Sequence, residues 1–177
     1  MDSKSTPERP AADDSRTVGK DSGAPQWTLR AAVAADAGWI AELRAIVMRA
    51  DLERLGRFDP VRVRQRFLDG FTPEHTSIIE VSGVPAGCIA MRDETDARWL
   101  EHFYLAAAHQ GGGIGAGVLA AVLESGSDIR PIKLNVLRGS PARRLYERHG
   151  FTVESEDPVD VFMVRAAESR NRTLPQR

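Results

Sequence analysis

Cysteine is nearly absent from this chain: Cys88 is the only one. A single thiol excludes an intramolecular disulfide and any thiolate zinc cluster. Long apolar runs are lacking too, and none approaches the roughly 20 residues needed to cross a bilayer. Neither sign of charge is in excess. Lys and Arg total 24 against 25 Asp and Glu, a net charge of −1 that recommends neither nucleic acid nor an acidic membrane as a partner. The N-terminus has no apolar signal-peptide core, and its acidic residues argue against a transit peptide. A cytoplasmic protein is the default expectation. Large apolar side chains are scarce before Trp27. Residues 1–26 cannot bury enough surface to offset their ordering entropy and are expected to be a disordered tail.

What remains suffices for one domain. With 42% hydrophobic and 28% charged residues over 177 positions, the composition is that of a globular protein with a sizeable core. That domain is expected over 27–166, with a flexible tail over 167–177. Trp27–Val33 alternates as a first strand. Asp36 can cap a helix whose Ile40, Leu43, Ile46 and Val47 share a face. Asp59-Pro60 is a cap followed by a first-turn proline, and Gly70 stops that helix. The stretch 49–58 between them is dense in charge. Thr76–Val81 and Val84–Met91 read as a hairpin turning at Ser82-Gly83, followed by a strand over Arg98–Leu105. Ile132–Leu137 is a further strand. Ser140 caps a helix with Pro141 at its first position, and Gly150 closes it in left-handed conformation. Phe151–Val153 and Val159–Val164 form a last antiparallel pair. There is no internal repeat. The economical architecture is α/β: a mixed central sheet, partly parallel, flanked by about four helices.

The organising stretch is Gln110-Gly111-Gly112-Gly113-Ile114-Gly115, which opens a helix whose Ile114, Val118, Leu119, Val122 and Leu123 share one face. A strand, a glycine turn and a helix N-terminus together make an anion site, because glycines allow close approach and the first amides of a helix lack partners. The competing reading is a flexible turn. A nucleotide P-loop needs Gly-Lys-Ser/Thr, but Gly115 is followed by Ala116 and Gly117. Gly111, Gly113 and Ala116 could fill a dinucleotide fingerprint, yet no acidic residue ends a second strand about 20 residues on.

The flanks supply a third reading. Phe103-Tyr104-Leu105, four residues, then Gln110-x-x-Gly113-x-Gly115 resembles the acetyl-CoA pyrophosphate loop of the GNAT acyltransferase superfamily. Ala142-Arg143-Arg144-Leu145-Tyr146-Glu147-Arg148-His149-Gly150-Phe151 is similar to that family's second signature. One departure is visible: the family often has Asn just before this second helix, where the chain has Gly139 and Ser140. The resemblance covers roughly 27–166 and implies an N-acetyltransferase using acetyl-CoA as co-substrate, without a metal. The acceptor it implies is a primary amine, a small molecule or a peptide, attacked directly in a ternary complex. A homodimer is common in the family. The alternative from another class is a non-catalytic acyl-CoA-binding sensor or regulatory subunit.

By resemblance, Phe103, Tyr104, Leu105, Gln110, Gly111, Gly112, Gly113, Ile114, Gly115, Ala116, Ser140 and Arg143 are the cofactor-binding candidates. Backbone amides of Tyr104 and Leu105 would serve the carbonyl oxygen as it gains charge. Tyr146 matches the tyrosine whose hydroxyl approaches the cofactor sulfur, and is the candidate acid for a leaving thiolate of pKa about 8.5. The attacking ammonium must first lose a proton, and Glu101 is the first candidate base. A regular strand places it on one face with Phe103, with His102 opposite. His102 has the better ordinary pKa, about 6.5, and a water relay is the third option. Glu53, Arg54 and Arg57 are candidate acceptor contacts, since the family's first helix pair walls that site. Cys88, within a strand, is expected in the core rather than as a nucleophile.

Overall fold

The computed structural model describes residues 26–125 and 129–167. The two expected tails lie outside these residues, apart from Gln26 and Ala167. Seven strands make one sheet, in the order β1-β2-β3-β4-β5-β7-β6. In chain order the elements are β1 (Trp27–Ala31), α1 (Ala37–Val47), α2 (Arg49–Arg54), α3 (Pro60–Gly70), β2 (Thr76–Val81), β3 (Val84–Asp93), β4 (Arg98–Leu105), α4 (Ile114–Glu124), β5 (Ile132–Leu137), α5 (Ala142–Arg148), β6 (Thr152–Glu156) and β7 (Asp160–Arg165). The sheet is mixed, with a parallel pairing between β4 and β5 and antiparallel pairings elsewhere. This is the expected α/β class, with five α-helices among the described residues.

Local chemistry explains most boundaries. Asp59 accepts from the amides of Val61 and Arg62 at 2.9 and 2.8 Å, and Pro60 opens α3. The β2–β3 hairpin turns through Ser82 at φ +52° and Gly83 at φ +78°, the mirror-image turn that matches strand twist. Gly150, at φ +84°, follows α5, and the Phe151 amide reaches back to the Tyr146 carbonyl.

Two expectations need correction, and one element was not foreseen. Asp36 does not cap α1. Its carboxylate takes a two-pronged ion pair from Arg30 at 2.8 and 2.9 Å, plus the Trp39 indole and the Val33 amide. The Arg30 guanidinium holds this buried carboxyl well below its usual range. The stretch dense in charge after α1 includes a helix for which no expectation was set: Arg49–Arg54 forms α2, with Arg49 paired to Glu53 and Arg54 to Asp51 along it. α5 begins at Ala142 rather than at Pro141, with Ser140 Oγ accepting from the Ala142 amide at 3.4 Å.

The sheet separates two apolar clusters. One packs α4 and α5 onto Trp27, Ile79, Ile89, Leu100, Leu134 and Met163, and includes Ile114, Val118, Leu119 and Tyr146. The other packs α1 and α3 onto Ile78 and Cys88, with Phe67 fully buried at its centre. Cys88 is the small core residue expected, its thiol pushed up to about 12 by burial and donating to the His102 carbonyl.

Candidate active site

The site forms where the sheet opens. β4 and β5 pair only at Arg98–Ile132 and Trp99–Lys133, then part. Backbone groups of β4 aimed at β5 beyond Trp99 therefore have no strand partner. The gap becomes a cleft of about 1240 Å³.

A bulge in β4 decides what faces this cleft. Ala90 pairs with Glu101 and Cys88 with Tyr104, so His102 and Phe103 together oppose Ile89. His102 sits at φ +49°, a conformation a non-glycine residue adopts at a cost. The regular alternation expected for β4 fails here. Phe103 packs with the α4–α5 cluster, whereas the His102 ring meets Phe67 edge-on, with centroids 5.0 Å apart, on the α1–α3 side. Directly paired residues share a face, so Glu101 lies with Ala90, Cys88 and Tyr104 on that same side. Glu101 and His102 are thus neighbours on one face, and Glu101 does not share its face with Phe103. Gly87 accommodates the strand end, because a Cβ there would collide with the Tyr104 carbonyl oxygen.

On the α4 side the glycine loop has the geometry of an anion cradle. Gly111 at φ +78° and Gly113 at φ +86° are left-handed, and Gly113 immediately precedes α4. The first intrahelical bond runs from the Gly117 amide to the Gly113 carbonyl, so the amides of Ile114, Gly115 and Ala116 precede it. Gly117 lets the helix lie close to the sheet: an added Cβ would be 3.1 Å from the Trp27 indole nitrogen.

Of the expected cofactor residues, Phe103, Tyr104, Leu105, Gln110, Gly111, Gly113, Gly115, Ala116 and Ser140 line the cleft. Gln110 donates its side-chain amide to the Leu105 carbonyl at 2.7 Å, tying the loop to the end of β4. Gly112 lies beside the lining, and Ile114 is buried in the core. Arg143 is turned away, its guanidinium held by Glu147 at 2.8 Å and Glu156 at 3.1 Å. The cleft-lining arginine of α5 is Arg148.

Tyr146 also lines the cleft. Its ring packs edge-on against Phe151, and burial raises its pKa. Its hydroxyl has no hydrogen-bond partner among the described residues, yet no buried side-chain oxygen there lacks one. The hydroxyl therefore opens onto the cleft.

Across from it, Glu101 accepts from the Arg92 guanidinium at 2.9 Å. His102 is half-buried, and its pKa is lowered by burial and by Arg44, against the opposing charge of Glu101. Its Nδ1 lies 3.3 Å from the Tyr104 hydroxyl, which accepts from Arg44 Nε at 2.9 Å. Burial pushes the Tyr104 phenol up to about 12. Sequence reasoning missed this Arg44–Tyr104–His102 chain. It joins α1 to β4 across 60 residues and a bulge, so no local pattern signals it.

Of the charged candidates after α1, Arg57 lines the cleft, while Glu53 is held by Arg49 at 2.7 Å. Arg54 donates to the Arg138 carbonyl, fastening α2 to the β5–α5 turn. Gly139, at φ +78°, makes room there, since a Cβ would sit 2.9 Å from Arg54 Nη1. The position before the second helix, where the sequence departs from the pattern it resembles, is thus occupied from outside by Arg54. Among the described residues no group of three His, Cys, Asp or Glu side chains could hold a metal ion, and no helix is long and apolar enough to cross a membrane.

The comparisons with known proteins agree with this geometry. Residues 72–153 match the model of the acetyltransferase (GNAT) domain. The fold is similar to an N-acetyltransferase from Staphylococcus aureus Mu50, 19% identical, with 77% of this chain and 98% of that one covered at a TM-score of 0.60. It is also similar to the PaiA N-acetyltransferase from Thermoplasma acidophilum in complex with coenzyme A, 17% identical, with 80% and 99% covered at 0.65. A GNAT-family acetyltransferase from Streptococcus agalactiae is 13% identical, with 82% and 98% covered at 0.64. No curated protein matches the sequence. Taken with the parted strands and the glycine cradle, the family match assigns residues 72–153 to a GNAT acetyltransferase domain.

Proposed function

We propose that this chain is an acetyl-CoA-dependent N-acetyltransferase that passes the acetyl group to a primary amine by direct attack in a ternary complex. The observation that carries the reading is that one cleft has an anion cradle and a tyrosine hydroxyl on one side and a half-buried imidazole on the other. The donor set suits the co-substrate: the unpartnered amides of Ile114, Gly115 and Ala116, the left-handed Gly111 and Gly113, and Arg148 suit a pyrophosphate. When bound, acetyl-CoA supplies an acyl group activated as a thioester.

Tyr146, neutral at physiological pH, is the acid that would donate its hydroxyl proton to the departing thiolate. Amides of β4 that point toward β5 beyond Trp99, where the β4–β5 pairing has ended, are the donors to the carbonyl oxygen as charge builds on it. Of the two base candidates, His102 is favoured. Its lowered pKa keeps the ring neutral near pH 7, and with Nδ1–H donating to the Tyr104 oxygen, Nε2 keeps its lone pair for a proton. The Glu101 carboxylate is committed to Arg92, and its charge acts on His102 in opposition to burial.

The test pairs calorimetric titration of acetyl-CoA with a turnover screen over an amine panel, on wild type and Tyr146→Phe. The expected result is unchanged cofactor affinity with kcat lowered by about 10²–10⁴-fold in the variant. Cofactor binding with no transfer to any amine would convert the reading to a non-catalytic sensor. No binding by folded wild type would remove both.

A further inference from the structure

The cleft's unspent cations point to the chemistry of the acceptor. Most described arginines are held by acceptors on the protein: Arg30 by Asp36, Arg64 by Glu42, Arg92 by Glu101, Arg143 by Glu147. Arg57, Arg62 and Arg66 are different. All three line the cleft, and no described residue accepts from their guanidinium groups. Arg62 and Arg66 stand one turn apart on α3, either side of Val63.

Arg44 joins them from α1. Its half-buried guanidinium donates to the Tyr104 hydroxyl at 2.9 Å and to the Val63 carbonyl, both of them neutral. It has no carboxylate partner. The acids nearby are already engaged: Asp51 with Arg54, Glu101 with Arg92, and Asp59 with the first amides of α3, although its charge also acts on Arg62. An excess of positive charge therefore collects on this wall of the cleft, in a chain whose net charge is −1. A half-buried guanidinium without a counter-charge is unfavourable unless an anion joins it, and a carboxylate fits its fork of donors.

Resting on the acetyltransferase reading, we infer that the acceptor is an amino acid, whose carboxylate is received by Arg44, Arg62 and Arg66 while its amine faces His102. Arg44 and His102 flank the same Tyr104 hydroxyl, at 2.9 and 3.3 Å, so one small molecule can reach both. The arginines hold the carboxylate end, and the preference for acid over amide resides in them.

The test uses the full chain saturated with coenzyme A. Melting temperature is followed on titration with the N-acetyl forms of L-alanine, L-leucine, L-glutamate and L-phenylalanine, each beside its amide. Wild type is compared with Arg62→Gln/Arg66→Gln, two exposed positions that the fold does not need. The expected result is that at least one acid binds about 10-fold or more tightly than its amide. In the double variant that preference falls toward unity while coenzyme A affinity is unchanged. Equal effects of acids and amides, including none from either, overturn the inference. So does a preference that survives the double variant. Loss of coenzyme A binding in the variant overturns it as well, by assigning these arginines to the cofactor. Failure of the acetyltransferase reading would appear elsewhere, as bound acetyl-CoA with no transfer to any amine, and leaves the acid-against-amide readout intact.

Discussion

The two sides of the cleft are built from different materials. The α4 side works through backbone: glycines at positive φ, a helix start and amides without partners. The α1–α3 side works through side chains assembled from three elements, with Arg44 from α1, Arg62 and Arg66 from α3, and His102 and Tyr104 from β4. Backbone chemistry is written in consecutive residues, so it is both legible and tolerant of change in its neighbours. The side-chain wall depends on Phe67, which seats α3 on the sheet and meets both the His102 and Tyr104 rings. The lesson is that one face is specified locally and the other by packing.

The comparison can be broken most severely at Phe67. Phe67→Ala empties the centre of the second cluster and is expected to cost about 3–5 kcal/mol, read by urea unfolding. Because α4 packs in the other cluster, the protein that remains folded should bind acetyl-CoA with nearly wild-type affinity. Equal loss on both sides would show that the two faces are not independent.

Gly113→Asp attacks the other side. An ordinary residue at φ +86° is strained by about 1–2 kcal/mol, and its carboxylate would sit at the anion cradle. Acetyl-CoA affinity by calorimetry should fall on the order of 10²–10³-fold. Melting temperature should fall by no more than the several degrees that this strain accounts for, because a Cβ at this glycine meets nothing within 4 Å.

A pH profile sharpens the contrast within β4. A base must be neutral, and the folded-state pKa of His102 is lowered, so the acid limb of kcat should lie below the ordinary histidine value of about 6.5. His102→Gln should lower kcat by about 10²-fold and erase that limb. Glu101→Gln removes the charge that raises His102 and should move the limb further down in pH with turnover retained. Loss of turnover in Glu101→Gln with His102→Gln active would transfer the base role to Glu101. The same lowered pKa has a stability consequence: the unfolded chain binds this proton more readily, so stability is present above about pH 6.5 and lost as pH falls through the folded value.

The smallest effect is expected at Arg143. Its guanidinium is held by Glu147 and Glu156 on an exposed surface, so Arg143→Gln should leave cofactor affinity unchanged in calorimetry. A weakened affinity would return this residue to the cofactor site.

The elements that local rules specify were legible. Asp59-Pro60, Ser82-Gly83 and Gly150 mark their boundaries through caps and left-handed turns, and the glycine loop declares its helix start. α2 was not, because its six residues bury none of their side chains and so carry no apolar stripe to read. Asp36 was misread because a cap motif cannot show that Arg30 competes for the same carboxylate. The bulge left no trace, since a histidine at φ +49° has no compositional signature.

By itself, the sequence determined the α/β class, the order of the strands and of every α-helix but α2, and the cradle at Gly111–Ala116, because these follow from residue periodicity and glycine geometry within short windows. Only the tertiary structure decided which side chains meet in the cleft. A one-residue bulge moved His102 to the face of Glu101, and the parting of β4 from β5 opened the site. Register and strand pairing join residues far apart in the chain, and no local propensity encodes them.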